Sequence, residues 1–276
     1  MTRRLAIVAG GGSLVPEAVA RAKSKGWAVL VLAAIPRPDL EAVEVKPLDL
    51  SKPLSAIAAV RKFAATDIVL VGGLHVPDAA REKLAGVFAR KGAPKAPTGD
   101  SGLSRYAGGI KLLSGARLMG IHELLPELLA AEGIMAGPRP GGKAMGHCRF
   151  AFGIARKIGA LDVGQAVVCA GERIIAVEDI AGTDALLDRV AGYRARGLAG
   201  DGKAPLVLAK AVKPGQALKV DLPAIGPVTI ERAAAAGIAV VVVEAGLTLL
   251  VDRTDLLAEA EKRGISLVGL KPEGRS

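Results

Sequence analysis

The sequence predicts an α/β protein in which helices pack on a largely parallel β-sheet. Apolar residues make up 51% of the 276 residues but aromatic residues only 3%, so the core is built from aliphatic side chains. Short runs of Val, Ile and Leu are typical of strands that are buried on both faces. These runs alternate with helical segments, and a chain of this length forms one large or two ordinary domains.

The N-terminal half begins with a strand–helix–strand unit. The predicted elements are a strand at residues 5–9, a helix at 16–25 and a strand at 27–33. Gly10, Gly11 and Gly12 form the first turn, and glycines there let backbone N–H groups approach a phosphate at a helix N-terminus. Gly11 and Gly12 are therefore candidate phosphate-binding residues, with a plain tight turn as the alternative.

This turn does not match the fingerprint of nicotinamide-binding proteins. The glycine spacing is not G-x-G-x-x-G, which leaves only a weak match to that motif. The second strand is followed by Ile35-Pro36-Arg37-Pro38 and not by an acid that would bind a ribose. A nicotinamide-dependent oxidoreductase is therefore disfavoured.

The remainder of the N-terminal half continues the alternation. We predict a helix at 54–65, a strand at 67–71, a helix at 78–91, a strand at 118–121 and a helix that follows His122-Glu123 and ends at 131. His75 follows a strand, which is where ligands bind in open α/β sheets, although a lone histidine there is more often a hydrogen-bonded loop residue. Residues rich in Gly and Pro then predict a linker at 136–146 between a domain at 1–135 and a domain at 147–276.

The C-terminal half is predicted to be a second α/β domain. Its elements are a helix at 149–159, a hairpin of strands at 166–169 and 174–177, a helix that ends at 191, a strand at 206–209, a helix at 227–237, strands at 239–243 and 247–251, a helix at 254–263 and a strand at 265–270. Thr183 is placed as the N-cap of its helix. The alternative is that Thr183 is a phosphate or metal ligand at the helix start.

A segment rich in lysine follows the strand at 206–209. It contains Lys210, Lys213 and Lys219, and then a single acid, Asp221, between apolar residues. Lysines neutralise phosphoryl oxygens, and a carboxylate can hold Mg²⁺ or orient a water molecule. The segment is therefore a candidate phosphate site, with a solvated basic loop as the alternative.

Charge and cysteine content limit the partners and the compartment. The net charge is +10, which favours an anionic partner such as a phosphorylated metabolite or an anionic membrane surface. We predict no nucleic-acid binding, because the charges are scattered and few aromatic side chains are present to stack on bases. Cys148 and Cys169 form no CxxC pair, which indicates a reducing, cytoplasmic setting.

Several motifs together resemble one enzyme family. These are LDVGQAVVC, IIAVEDIAGTDALLDRV, LAKAVKPGQALKVDLPAIGPVTIERAAAAGI and VVEAG in the C-terminal half, with residues 7–16, Gly99-Asp100 and GIHELLPELLAAEG in the N-terminal half. In this order they resemble the I-type UDP-2,3-diacylglucosamine pyrophosphatases of lipid A biosynthesis, over nearly the whole chain.

The resemblance implies a Rossmann-like N-terminal domain and a C-terminal domain unique to the family. It implies Mg²⁺-dependent hydrolysis of UDP-2,3-diacylglucosamine to UMP and 2,3-diacylglucosamine 1-phosphate (lipid X), with water attacking the phosphorus on the sugar side. Asp221 is the implied catalytic residue and metal ligand. The implied substrate-binding residues are Gly11, Gly12, His122, Gln165, Thr183, Asp184, Lys210 and Lys213. A peripheral position on the inner membrane follows from the lipid substrate, and a homodimer is left open.

Four positions depart from the family pattern. Ala181 stands where the family usually has Glu, Ala224 stands where it has Thr, Ser101 replaces an acid, and the strand end at Gly72-Gly73 lacks the usual asparagine. Glu178 or Asp179 could replace the missing acid. The alternative function is therefore a non-catalytic protein that binds lipid X or a nucleotide-sugar lipid on the same fold.

Overall fold

The computed structural model describes residues 2–41, 43–49, 52–73, 114–200, 202, 204–213, 218–219 and 222–272. Asp221, His75, Asp100, Ser101 and the predicted helix at 78–91 lie outside these residues. The chain divides into two compact units. Unit 1 comprises Met1–Glu127 and Ala217–Asp221, and unit 2 comprises Leu128–Gln216 and Leu222–Ser276. Each unit is built around its own sheet, so the predicted α/β fold is confirmed.

Unit 1 contains a five-stranded parallel sheet in the order β3-β2-β1-β4-β5. Its elements are β1 (Arg4–Ala9), α1 (Leu14–Ser24), β2 (Ala28–Ala33), β3 (Glu44–Pro47), α2 (Pro53–Lys62), β4 (Asp67–Val71), β5 (Arg117–Met119) and α3 (Ile121–Leu124). Residues 5–9 are fully buried because the central strand is covered on both faces. The predicted Rossmann-like domain is therefore confirmed.

The elements predicted for unit 1 differ from the structure in two places. Strand β3 was missed because its four residues, EVKP, alternate poorly and lie at the exposed edge of the sheet. The helix predicted to continue to residue 131 ends at Leu124, and Pro126–Leu128 form a 3₁₀ turn. Leu125 precedes Pro126, and the proline ring disfavours the helical conformation of the residue before it.

Unit 2 contains a six-stranded mixed sheet in the order β6-β13-β11-β9-β7-β8 and a short two-stranded sheet, β10-β12. Its elements are β6 (Gly133–Ala136), α4 (Gly142–Ala160), β7 (Ala166–Ala170), β8 (Arg173–Val177), α5 (Gly182–Ala195), β9 (Leu206–Lys210), β10 (Ala224–Ile225), α6 (Pro227–Ala235), β11 (Ile238–Glu244), β12 (Leu249–Leu250), α7 (Arg253–Arg263) and β13 (Ser266–Leu270). The predicted hairpin is confirmed as β7 and β8.

Helices cover both faces of the unit 2 sheet. Helix α4 packs Ala151, Phe152 and Ala155 against one face, and α5, α6 and α7 contribute to the core on the other. Helix α4 begins at Gly142, within the predicted linker, and residues 133–136 add an edge strand to the sheet. Among the residues that the structure describes, no helix has both the length and the apolar character needed to span a bilayer.

Both cysteines lie in the core between α4 and the sheet, Cys148 on α4 and Cys169 on β7. Cys148 and Cys169 are free thiols and are fully buried. Burial raises the pKa of each thiol to about 11, because the thiolate loses its hydration in the apolar core. The two thiols therefore have little thiolate at neutral pH, which makes them unreactive.

We expect both thiols to react with Ellman's reagent at pH 8 only after unfolding. A shift of about two pKa units lowers the thiolate fraction roughly 10²-fold, and burial blocks access as well. The measurement compares native protein with protein in guanidinium chloride, where two thiols per chain should react. The control is Ser24→Cys, which places a thiol at an exposed position. Two thiols that react within the mixing time in native protein would contradict the buried placement.

Candidate active site

The carboxyl ends of four strands meet at one edge of the unit 2 sheet. Strands β9, β11 and β13 are mutually parallel, and β8 shares their direction because β7 is antiparallel to both of its neighbours. We call this the carboxyl edge of unit 2. Ligands of open α/β sheets bind outside the carboxyl ends of the strands. The edge is therefore the first place to look for a site.

Lys210 is the last residue of β9 and lies at this edge. It is only 8% exposed. Its Nζ donates hydrogen bonds to Thr183 Oγ1 at 2.9 Å and to the Ala224 carbonyl at 3.3 Å. A buried ammonium group is tolerated only when its donors are satisfied. The contacts therefore hold a positive charge at a defined position on the edge.

Thr183 connects this charge to a buried acid. The hydroxyl of Thr183 accepts from Lys210 and donates to Glu178 Oε1 at 2.5 Å. Glu178 directly follows β8 and is 6% exposed, and its Oε2 accepts the Gln165 backbone N–H at 2.8 Å. The prediction of Thr183 as an N-cap was wrong. The N-cap is Ala181, and Thr183 bonds outward from the first turn of α5.

Gln165 completes this cluster at the start of β7. Its carbonyl accepts the Ala211 N–H at 2.9 Å, which fixes the backbone next to Lys210. Its side-chain Oε1 is buried and has no hydrogen-bond partner among the described residues. A polar atom of this kind can accept a hydrogen bond from a ligand. We refer to Gln165, Glu178, Thr183 and Lys210 as the Lys210 cluster.

Lys213 and Asp184 contact other groups. Lys213 Nζ lies 2.9 Å from Asp162 Oδ1 and its side chain is 13% exposed. Asp184 is more than half exposed, and its Oδ2 lies 3.5 Å from Nε of Arg232 on α6. The Asp184 side chain therefore links α5 to α6 and is not counted in the Lys210 cluster.

The glycine turn of unit 1 is bonded to the loop after β4. Gly11 N–H donates to the Gly73 carbonyl at 3.0 Å, and Gly73 N–H donates to the Gly11 carbonyl at 3.1 Å. A Cβ on Gly72 would lie 2.2 Å from Gly11 O, so only glycine fits there. The bridge lies between β1 and β4, where the strand order reverses and a dinucleotide would bind. The amide of Gly11 is thus engaged within the fold itself.

Arg37 holds the same turn from the other side. Its guanidinium donates to the carbonyls of Gly10 at 3.0 Å and Gly12 at 3.1 Å and pairs with Asp39. The side chain is only 5% exposed. The sequence predicted no ribose-binding acid directly after the second strand, and the role of Arg37 was missed. A basic residue soon after the second strand was the available signal.

His122 lies in α3 of unit 1. Its Nδ1 is buried and makes no hydrogen bond within the described part of the chain. A Cβ on Gly120 would come within 2.3 Å of His122 Cε1, so the ring folds against Gly120. Of the predicted substrate-binding residues, unit 1 contains Gly11, Gly12 and His122.

The predicted residues of unit 2 were only partly brought together. Gln165, Thr183 and Lys210 form one cluster, whereas Lys213 and Asp184 have other partners. Glu178 was named only as a possible replacement acid, yet it is central to the cluster. Asp179, the other replacement, is exposed and pairs with Arg189. The predicted catalytic residue, Asp221, lies outside the described residues.

A magnesium ion in this protein would have to be held largely by the phosphates of a substrate. The described residues contain no group of three or more His, Cys, Asp or Glu side chains suited to a metal. Mg²⁺ is commonly bound through one or two carboxylates together with substrate phosphates. One acid from the lysine-rich segment, Asp221, would meet that requirement. Both oxygens of Glu178 already accept hydrogen bonds.

Solved structures with similar folds give only a weak likeness. UDP-glucose 4-epimerase of Thermus thermophilus, in complex with NAD, is 15% identical with a TM-score of 0.33, covering 99% of this chain and 88% of that one. The GalE-like L-threonine dehydrogenase of Cupriavidus necator is 10% identical with a TM-score of 0.34, covering 98% and 86%. Likeness at this level carries no argument about function.

The family comparisons are specific. Residues 4–128 match the LpxI N-terminal domain, and residues 131–268 match the LpxI C-terminal domain. The chain is also 35% identical over 287 aligned residues to the UDP-2,3-diacylglucosamine pyrophosphatase LpxI of Caulobacter vibrioides, covering 99% of each chain. The family predicted from the sequence motifs is therefore confirmed, and the chain belongs to the LpxI family.

Proposed function

We propose that the chain hydrolyses the pyrophosphate bond of UDP-2,3-diacylglucosamine to UMP and lipid X in lipid A synthesis. One observation carries the proposal. The chain is 35% identical to a UDP-2,3-diacylglucosamine pyrophosphatase, and the alignment covers 99% of both chains. The carboxyl edge of unit 2 supports it, because a fixed ammonium group contacts a hydroxyl group there. In the same cluster the buried side-chain oxygen of Gln165 has no partner among the described residues.

The Lys210 cluster supplies electrostatic stabilisation in this proposal. Charge on the pyrophosphate must be neutralised as water attacks, and a preorganised cation does this without rearrangement. Lys210 would contact a phosphoryl oxygen, and the buried amide of Gln165 would contribute a polar contact. Lys213 would add a second positive charge after release from Asp162.

Asp221 is the proposed metal ligand and catalytic residue. When bound, Mg²⁺ supplies a Lewis acid that neutralises phosphate charge and lowers the pKa of bound water. The carboxylate of Asp221 would hold this ion or orient the water. In this proposal water attacks the phosphorus on the sugar side, as the family resemblance implies, and UMP is the leaving group.

The test is incubation of purified protein with UDP-2,3-diacylglucosamine, with Mg²⁺ and with EDTA, followed by mass spectrometry of UMP and lipid X. We expect release that requires the metal, and in H₂¹⁸O the label should enter lipid X and not UMP. Asp221→Ala is expected to be inactive, and a variant that hydrolyses as fast as the parent would contradict the assignment of Asp221. Lipid X that binds without any turnover would instead favour the non-catalytic binding protein.

A contact with the membrane is also part of the proposal. Two adjoining loops near the carboxyl edge of unit 2 expose aliphatic side chains, with Leu161 71%, Val163 52% and Ile180 103% exposed. The loops adjoin because Gly164 packs against the Glu178 carbonyl, where a Cβ would lie 2.3 Å from the oxygen. Exposed apolar tips on a protein of net charge +10 suit an anionic membrane that contains a diacyl substrate.

We expect the protein to sediment with vesicles that contain anionic phosphatidylglycerol. Replacing Leu161, Val163 and Ile180 together by serine should lower the partition coefficient between vesicles and water at least about 10-fold. Each of the three side chains loses several apolar groups that would be buried in the lipid. The control is serine at Leu54, Ile174 and Leu198, which are exposed apolar residues away from the carboxyl edge of unit 2. Equal partition of both triple variants would contradict this assignment of the membrane-facing loops.

A further inference from the structure

Glu178 is the buried centre of a short chain of hydrogen bonds. Its Oε2 faces the Gln165 backbone N–H, which can only donate, and its Oε1 accepts from the Thr183 hydroxyl. Gln165 is fixed in turn, because Glu178 N–H donates to the Ala166 carbonyl at 2.9 Å in the same hairpin. The carboxylate is therefore held between two donors of fixed position.

The hydroxyl of Thr183 transmits this arrangement to Lys210. A threonine hydroxyl has one proton and two acceptor lone pairs. The proton is directed to Glu178, so a lone pair is left to accept from Lys210 Nζ at 2.9 Å. The Glu178 carboxylate thus fixes the orientation of the Thr183 hydroxyl. The hydroxyl in turn presents a lone pair to Lys210.

We propose that Glu178 is a positioning residue for Lys210, and that it sets the place of the ammonium group through Thr183. The catalytic consequence rests on the proposed function, in which Lys210 neutralises a phosphoryl oxygen. The structural consequence does not depend on it. Glu178 therefore belongs to the machinery of the site although, in this assignment, it acts through another residue and does not touch the substrate.

Glu178→Gln is the most informative change because it has nearly the same shape. The Gln165 N–H requires an oxygen opposite it, so the new amide must place its oxygen there and its NH₂ group toward Thr183. The NH₂ group donates to the Thr183 oxygen, so the hydroxyl proton loses its acceptor on residue 178 and turns to one of the two remaining directions, one of which faces Lys210. The hydroxyl then no longer presents a lone pair to Lys210 at all times, and the ammonium group is held less firmly.

The direct readout is the NMR signal of the Lys210 side chain in full-length protein with ¹³C-labelled lysine. We expect two distinct Hε shifts in the parent protein, because the side chain is immobilised, and assignment comes from Lys210→Arg. In Glu178→Gln the two shifts should merge or move. The matched control is Asp179→Asn, which alters the neighbouring, exposed acid and should leave the signal unchanged.

The kinetic readout separates positioning from a loss of stability. Glu178→Gln should lower kcat for UMP release at least about 10-fold with a smaller change in KM, since a cation that is held less firmly weakens transition-state stabilisation. Thr183→Val, which removes the hydroxyl with an apolar isostere, should cause a similar loss. The double variant should lose little more than either single variant, because both break the same link. Thr183→Ser, which retains the hydroxyl, should keep kcat within about 3-fold.

Three results would overturn the proposal. These are an unchanged Lys210 signal in Glu178→Gln, losses of the two single variants that multiply in the double variant, or a loss in Thr183→Ser equal to that in Thr183→Val. If the parent protein shows no turnover, the proposed function is wrong, but the positioning role of Glu178 is not contradicted. The NMR comparison would then still decide whether Glu178 positions Lys210.

Discussion

Lys210→Met is expected to lower kcat for UMP release by roughly 10² to 10³-fold, the loss typical when one preorganised donor to a developing oxyanion is removed. The side chains have similar length, so the change removes the charge and leaves most of the volume. In the structure the ammonium group is fixed by Thr183 and Ala224 before substrate arrives. A fixed charge contributes more than a mobile one because little reorganisation accompanies the reaction. The measurement is steady-state release of UMP at saturating Mg²⁺.

Stability should not account for that loss. Lys210→Met removes the desolvation cost of a buried ammonium group together with its hydrogen bonds to Thr183 and Ala224, so the two effects partly cancel and the melting temperature should fall by no more than a few degrees. The control is Lys262→Met on α7, where the side chain is 72% exposed and pairs with Glu259. That variant should retain full activity. A Lys210→Met enzyme with at least a third of the parent kcat would show that the carboxyl edge of unit 2 is not the catalytic site.

The sequence allowed the residue types of the site to be predicted better than their partners. Lys210 and Thr183 were chosen from motifs, and they do meet, although 27 positions separate them. Thr183 near the start of a helix was interpreted as an N-cap because threonine competes for that local role. The tertiary contacts with Lys210 and Glu178 override the local preference. No periodicity in the sequence encodes such contacts.

The fold shows the same division between local and long-range information. The strand–helix–strand start of unit 1 was predicted because hydrophobic periodicity and glycine turns are local signals. The sheet order of unit 2 was not, since it depends on pairing between distant strands. For example, β12 follows β11 in the chain but pairs with β10, through only two residues of each strand. A strand was predicted at 247–251, where β12 lies, but the sequence did not indicate that β10 is its partner.

Asp67→Ala is expected to destabilise unit 1 by about 2 to 3 kcal/mol, since it breaks a buried network in which charged hydrogen bonds each contribute substantially. Asp67 opens β4, and its side chain is 4% exposed. Its carboxylate accepts hydrogen bonds from Arg3 Nε at 2.7 Å, Arg117 Nε at 2.8 Å and Thr66 Oγ1 at 2.8 Å. The two arginines are partly exposed and can turn to water, which keeps the cost below that of a fully buried ion pair.

Urea unfolding of the full chain measures this effect. The control is Asp49→Ala, which removes an exposed pair with Lys52 in the same unit and should change stability by less than about 0.5 kcal/mol. If the two variants were equally stable, the Asp67 network would have no role in holding the strands β1, β4 and β5 together.

The contribution of Asp67 should also disappear at low pH, with a defined sign. Burial alone would raise the pKa of this carboxyl group, but the hydrogen bonds from Arg3, Arg117 and Thr66 outweigh burial and lower the pKa from 3.8 to about 2. A folded-state pKa below the unfolded value means that the unfolded chain binds the proton first as the pH falls. The stabilisation is therefore complete above about pH 5 and is lost between pH 4 and pH 2, by up to about 2 kcal/mol. In Asp67→Asn this titration is absent, so the stability difference between parent and variant should shrink by that amount from pH 5 to pH 2. Other carboxylates titrate in both proteins, so their effects cancel in the stability difference between parent and variant. If that difference stays constant from pH 5 to pH 2, Asp67 is not held ionised by the two arginines.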